Sequence, residues 1–153
     1  VSDIIIQDPA IIELTVNDTD QAVELNITDA LSLNDTLTLT AGELIQSHHA
    51  LYVSFSPAPK IFTLKNIGAH KQYVHLFCGV SLHNANQGEE VKFKSFGVIE
   101  DPSFNYNAAS GLYIDIDGRM TEVNIEDNFS FQIGMVLTDK KVFINPKMPI
   151  IKW

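Results

Sequence analysis

The chain has 153 residues, 45% of them hydrophobic, which is enough to bury one substantial core and leaves room for only a small appended segment. Its net charge of −9, with ten Lys and Arg forming no readable patch, argues against a nucleic-acid or anionic-membrane partner, since both are held mainly by basic side chains on phosphates. The single Cys78 excludes an internal disulfide, and no signal peptide, transmembrane run or lipidation motif is expected.

Thr, Val, Ile and Phe are plentiful, turn residues recur roughly every eight to twelve positions, and no stretch keeps a 3.6 period over three turns. The expected class is all-β, an antiparallel sandwich or barrel-like domain. Residues 1–45 read as a β-rich arm or attachment segment and residues 46–153 as the compact domain. In the arm, Pro9 bars 1–12 from a central strand because it lacks a ladder donor. Asn17-Asp18-Thr19, Asn26-Ile27-Thr28 and Asn34-Asp35-Thr36 recur at near-even spacing and predict turns between short strands. With Asn128-Phe129-Ser130 they also match the glycosylation acceptor pattern, only a mild excess over what chance yields in an Asn- and Thr-rich chain.

Leu31, Leu33, Leu37 and Leu39 alternate with polar residues and predict a half-buried strand; Glu43–His49 reads as a helical turn. Leu51–Phe55 is a strand ended by Ser56-Pro57-Ala58-Pro59, and Lys60–Asn66 is another, ended at Gly68. From Tyr73 the alternation places Val74, Leu76, Cys78, Val80 and Leu82 on one face, predicting a long strand; Asn84–Gly88 then turns the chain and 89–100 returns it. Asp117-Gly118, between 112–116 and 119–123, predicts a tight hairpin. The last strands are Phe129–Thr138 and Lys141–Ile144, followed by the apolar tail Met148, Ile150, Ile151 and Trp153.

Candidate chemistry is sparse. Asp115 and Asp117 precede Gly118 as in the start of a calcium loop, but the third carboxylate or amide and the later Glu are missing, so no metal is expected. His48, His49, His70, His75 and His83 show no metal-ligand spacing. Ser81 in Gly79-Val80-Ser81-Leu82-His83 lacks the second Gly of a nucleophile elbow. Glu89-Glu90 and Glu100-Asp101 read as solvated carboxylates at strand ends. No catalytic residue and no cofactor are expected.

The run Gly79-Val80-Ser81-Leu82, Ala85, Gly88-Glu89 and Val91 is followed by Gly97-Val98-Ile99, Gly111-Leu112-Tyr113-Ile114, Asp117-Gly118 and Thr121, then Ile133–Leu137 and Val142–Pro146. Over residues 73–150 this pattern resembles the capsid decoration and fibre-type β proteins of tailed-phage virions. The resemblance implies a non-enzymatic structural protein on the exterior surface of the particle, a homotrimer whose partners are itself and other virion proteins such as the major capsid protein, with a host-surface glycan as a further partner. It implies action by interface burial, for which Tyr73, Phe77, Met148, Ile150, Ile151 and Trp153 are the candidate contact residues. The arm lies outside the resemblance and is expected to dock on the particle or a neighbouring subunit by strand addition. Two alternatives are a carbohydrate-binding adhesin-type sandwich, displaying Phe104 and Tyr106 on the 103–111 loop, and a jelly-roll capsid subunit.

Overall fold

The computed structural model describes residues 2–8, 10–16, 24–27, 36–124 and 129–151, with backbone alone for the first three stretches and for residues 129 and 151. The chain divides after Leu33 into two units. The boundary therefore lies before the expected residue 45, because Thr36–Thr40 pairs along its whole length with Glu90–Lys94 of the larger unit.

The smaller unit is a meander of β1 (Ser2–Asp8), β2 (Ala10–Val16) and β3 (Glu24–Ile27), ordered β1-β2-β3 and antiparallel throughout. Pro9 lies outside the described residues; β1 is an edge strand, as expected of 1–12, whereas β2, which takes in residues 10–12, is the central one. Asn26 lies inside β3 and not in the turn its Asn-x-Thr triplet predicts. Asn17, Asn34 and Asn128 lie outside the described residues.

In the larger unit, β4 (Thr36–Thr40), β5 (Ala50–Ser54), β6 (Lys60–Thr63), β7 (Phe77–Ser81) and β8 (Glu90–Lys94) form a sheet in the order β4-β8-β7-β5-β6. A second sheet takes β9 (Gly97–Glu100), β10 (Gly111–Ile114), β11 (Met120–Thr121), β13 (Gly134–Thr138) and β14 (Lys141–Ile144) in the order β11-β10-β13-β14-β9. A short pair joins β12 (Phe129–Ser130) to β15 (Ile150–Ile151). Nearly all of this is antiparallel β structure in a sandwich-like arrangement, the class that alternation predicts.

Two apolar clusters hold the larger unit together. The main one joins Ala50 and Val80 of the first sheet to Ile99, Leu112, Ile114, Val136, Val142 and Ile144 of the second, with Leu64, Ile67, Val74, Phe104 and Phe131 closing its margins. The other gathers Leu51, Ile61, Val91 and Phe93 of the first sheet under Ala41, Ile45 and Ala85. Strands β5 and β7 feed both clusters: Ala50, Tyr52, Phe77 and Val80 go to one, and Leu51, Val53 and Cys78 to the other. Such strands are covered on both faces, which polar-apolar alternation does not announce.

The long strand expected from Tyr73 is shorter than its periodicity. Lys71–Leu76 forms a 3-10 helix that buries Val74, and only Phe77–Ser81 is extended. Within β7 the register slips: Leu51 faces Gly79 but Tyr52 faces Phe77, leaving Cys78 as a bulge residue. Cys78 and Val80, two positions apart, consequently serve different clusters. Gly79 is obligatory here, since a Cβ would collide with the Lys94 carbonyl of β8 and its φ is +152°.

Glu43–His49 is not a helical turn. Ile45 bridges Ala85 in both directions, at 2.8 and 2.9 Å, so this segment is pinned over the second cluster. The Asn84–Gly88 turn forms as expected, with Gly88 at φ +89° and its N–H donating to Ala41 at 2.8 Å. The Asp117-Gly118 reversal also forms, but as a wider loop, with Ile114 paired to Met120. Asp115 Oδ1 accepts the N–H groups of Asp117 and Arg119 at 2.8 and 2.9 Å, and the Ala50 N–H donates to the Gly118 carbonyl at 2.7 Å. This loop is packed against other backbone, which is why a free two-residue turn is not used.

Candidate interaction surface

The second sheet has an inner face of aliphatic residues and an outer face that is also apolar. Its register sets Gly111, Met135, Phe143 and Val98 side by side across β10, β13, β14 and β9. Tyr113 lies over Gly111, and the Phe96 ring meets Phe143 edge-on with centroids 5.1 Å apart. Met135 and Leu137 are each 42% exposed and Phe96 37%. Leu137 follows Met135 by two positions on β13 and so shares its face. The charged pair Lys141 and Glu100, 3.7 Å apart, marks one end of the patch. Contiguous exposed apolar surface of this kind is a mark of an interaction site, whereas single exposed residues are not.

The C-terminal segment adds to the exposed apolar surface. Met148 is 87% exposed and Ile150 60%. Ile151 is placed only as a backbone partner of Phe129, and Trp153 lies outside the described residues. The other two predicted contact residues are half-buried and pack against the main cluster. Tyr73 stacks on Tyr52 with centroids 4.8 Å apart, and Phe77 meets Phe131 edge-on at 5.3 Å. Sequence reasoning missed Phe96, Met135, Leu137 and Phe143 because it assigned one apolar face per strand; the signal was there in Gly134-Met135-Val136-Leu137, a run apolar on both parities.

A polar cleft of about 410 Å³ opens between the 43–49 segment, the end of β6 and the Asp115–Arg119 turn. Its charges are matched internally: Glu43 accepts the Thr63 N–H at 2.8 Å and sits 3.8 Å from Lys65, while Asp117 sits 3.8 Å from Arg119. His49 at its floor is buried, with Nδ1 2.8 Å from the Ser47 carbonyl. Such a cleft has polar walls but no uncompensated charge to select a ligand.

The side chains considered for chemistry have structural partners. Ser81 is fully buried; its hydroxyl donates to the Gln46 carbonyl at 2.5 Å and accepts the His49 N–H at 2.9 Å, which ties the 46–49 segment to β7. His83 accepts the Lys92 N–H through Nε2 at 3.0 Å and faces the Asn84 carbonyl through Nδ1 at 2.7 Å, a pattern that fixes the neutral Nδ1–H tautomer. His48 packs edge-on against Phe104 at 4.7 Å, and burial lowers its pKa against the opposing pull of Asp101, 3.5 Å away.

Glu89 and Asp101 cap turns, accepting N–H groups from Asn86 and Ser103 at 2.7 Å each; Glu89 is held below its ordinary pKa by the backbone and side chain of Asn86, and Asp101 by the side chain and backbone of Ser103. Burial pushes the Cys78 thiol up to about 12. Among the described residues, no group of three or more His, Cys, Asp or Glu side chains is placed to hold a metal ion. Of the two aromatics considered for sugar binding, Phe104 is buried and Tyr106 half-buried with its hydroxyl toward the Met120 carbonyl, so neither presents a free platform. No protein-family model and no curated protein matches the chain.

Proposed function

We propose that this chain is a non-enzymatic structural protein of a tailed-phage virion, a decoration or fibre component on the particle exterior that works by burying apolar surface against other virion proteins and further copies of itself. The observation that carries the assembly part is the apolar outer face of the second sheet, with Phe96, Met135 and Leu137 open to solvent beside Phe143. The virion part is supported by the sequence resemblance over residues 73–150. Several residues that carry it have backbone roles: Gly79 admits the close approach of β8, Ser81 ties the 46–49 segment, and Gly134 lies against the Phe143 carbonyl where a Cβ would collide. A pattern of this kind preserves a scaffold and leaves surface positions free to fit a partner.

Antibody raised against the purified chain is expected to label the outside of intact tailed-phage particles that encode it, seen by immunogold electron microscopy. Particles that carry no label, from a lysate in which the free chain is abundant, would sink the assignment. The double substitution Met135→Lys with Leu137→Lys is expected to weaken incorporation by at least about 30-fold, the effect of losing a central apolar contact. Unchanged incorporation would remove this face from the interface.

A further inference from the structure

Two side chains lining the polar cleft of about 410 Å³ are buried and unspent. His49 is 8% exposed and Thr63 7%. The pairing of Leu51 with Thr63 runs on through the Leu64 N–H, which donates to the Ala50 carbonyl at 2.8 Å, so His49 and Thr63 come from neighbouring chain segments and share a side. The Nδ1 of His49, 2.8 Å from the Ser47 carbonyl, carries the ring proton and leaves Nε2 as a bare acceptor. Neither Nε2 nor the Thr63 hydroxyl has a hydrogen-bond partner among the described residues, where every fully enclosed side-chain nitrogen and oxygen has one. Both atoms therefore open into the cleft.

Buried polar groups without a protein partner call for one from outside. Charge does not choose it, since Glu43 and Asp117 balance Lys65 and Arg119. At 3.8 Å, however, neither ion pair closes a hydrogen bond, so donors and acceptors both remain along the walls. An ion would meet a like charge wherever it met an opposite one. A hydroxyl both donates and accepts, and so suits Nε2, the Thr63 hydroxyl and either kind of wall without disturbing the balance. Leu44, 60% exposed, adds an apolar flank for C–H groups. The cleft is as large as ordinary ligand sites, which run from about 300 to 1,000 Å³. A second hollow of about 200 Å³ adjoins it across His49 and Arg119 and gives room for a further unit. We propose that this cleft binds a neutral glycan, with one pyranose ring over His49 and Thr63 and the chain running on past Arg119. Glycan binding here does not depend on assembly through the outer face of the second sheet.

The test uses the full chain, titrated under NMR detection with the methyl pyranosides of glucose, galactose, mannose and N-acetylglucosamine at millimolar concentrations. At least one should bind saturably and move the His49 Nε2 resonance. Thr63→Val removes the hydroxyl while keeping the side-chain outline and the N–H that donates to Glu43. It should raise the dissociation constant at least about 3-fold, the loss of one neutral hydrogen bond, with no loss of stability, because the hydroxyl gives up no protein partner. His49→Phe should abolish binding, with Cys78 still unreactive to thiol reagents as the sign that the fold is kept. Failure of every methyl pyranoside to bind, or an affinity unmoved by either substitution, would overturn the inference. So would saturable binding of free hexoses, glycine or inorganic phosphate in their place. Particle labelling and incorporation do not read this cleft, so the virion and assembly assignments stand or fall on their own experiments.

Discussion

Gly79 and Cys78 sit at the bulge where β7 passes between two cores, and each makes a direct prediction. Gly79→Ala places a methyl group on the Lys94 carbonyl at a φ that side chains avoid, so it should cost at least about 1–3 kcal/mol, read as a lower denaturant midpoint at unchanged slope. The Cys78 thiol, held near 12 by burial, should resist thiol reagents at pH 8 until the protein unfolds. Its raised pKa also means that the stability it contributes is complete below its unfolded pKa of about 9 and is lost as pH rises toward 12. On the acid side the signs run the other way. His48 is depressed by burial, so its contribution is complete above 6.5 and is lost as pH falls through its folded value. Glu89, Asp101 and Glu122, lowered by turn and loop hydrogen bonds, continue the loss below their ordinary values near 4. Melting temperature should fall steadily from pH 7 to pH 3, and a rise between pH 7 and 5 would contradict the assignment of His48.

The 46–49 segment shows how a buried hydroxyl adds to the backbone bonds that His48 and His49 make with Ser81 in holding an irregular element. Ser81→Ala would leave the His49 N–H and the Gln46 carbonyl without their partner, and should cost about 1–3 kcal/mol. Hydrogen exchange at the His49 amide should accelerate more than at Val80 beside it; equal protection would show that the hydroxyl does not tie the segment. The strand elements were largely legible, because alternation at Leu112–Ile114 and Val142–Ile144, and turn chemistry at Gly88 and Gly118, are local properties. The 3-10 helix at Lys71–Leu76 was not, since its residues alternate like a strand while their conformation follows the need to bury Val74 in the main cluster.

For the molecule as a whole, both clusters, among the residues whose side chains are described, are built from residues between Ala41 and Ile144. Residues 34–153, a compact unit in themselves, should fold without the N-terminal unit, with a single cooperative unfolding transition and the same Cys78 protection. Loss of cooperativity on removing residues 1–33 would show that the two units share a core. The charge is divided in the same way: seven of the nineteen acidic residues, and none of the ten basic ones, lie in residues 1–33.

By itself the sequence determined the all-β class and the turns at Gly88 and Gly118, because each follows from local periodicity and backbone freedom. Only the tertiary structure decided which apolar residues are spent. Tyr73 and Phe77 pack half-buried against the main cluster, while Phe96, Met135 and Leu137, no more conspicuous in the chain, are left on an outer sheet face. The reason is that a strand's pattern shows how many of its faces are apolar but not what lies against each one. That is settled by sheet order, by the bulge at Cys78 and by where the second layer ends.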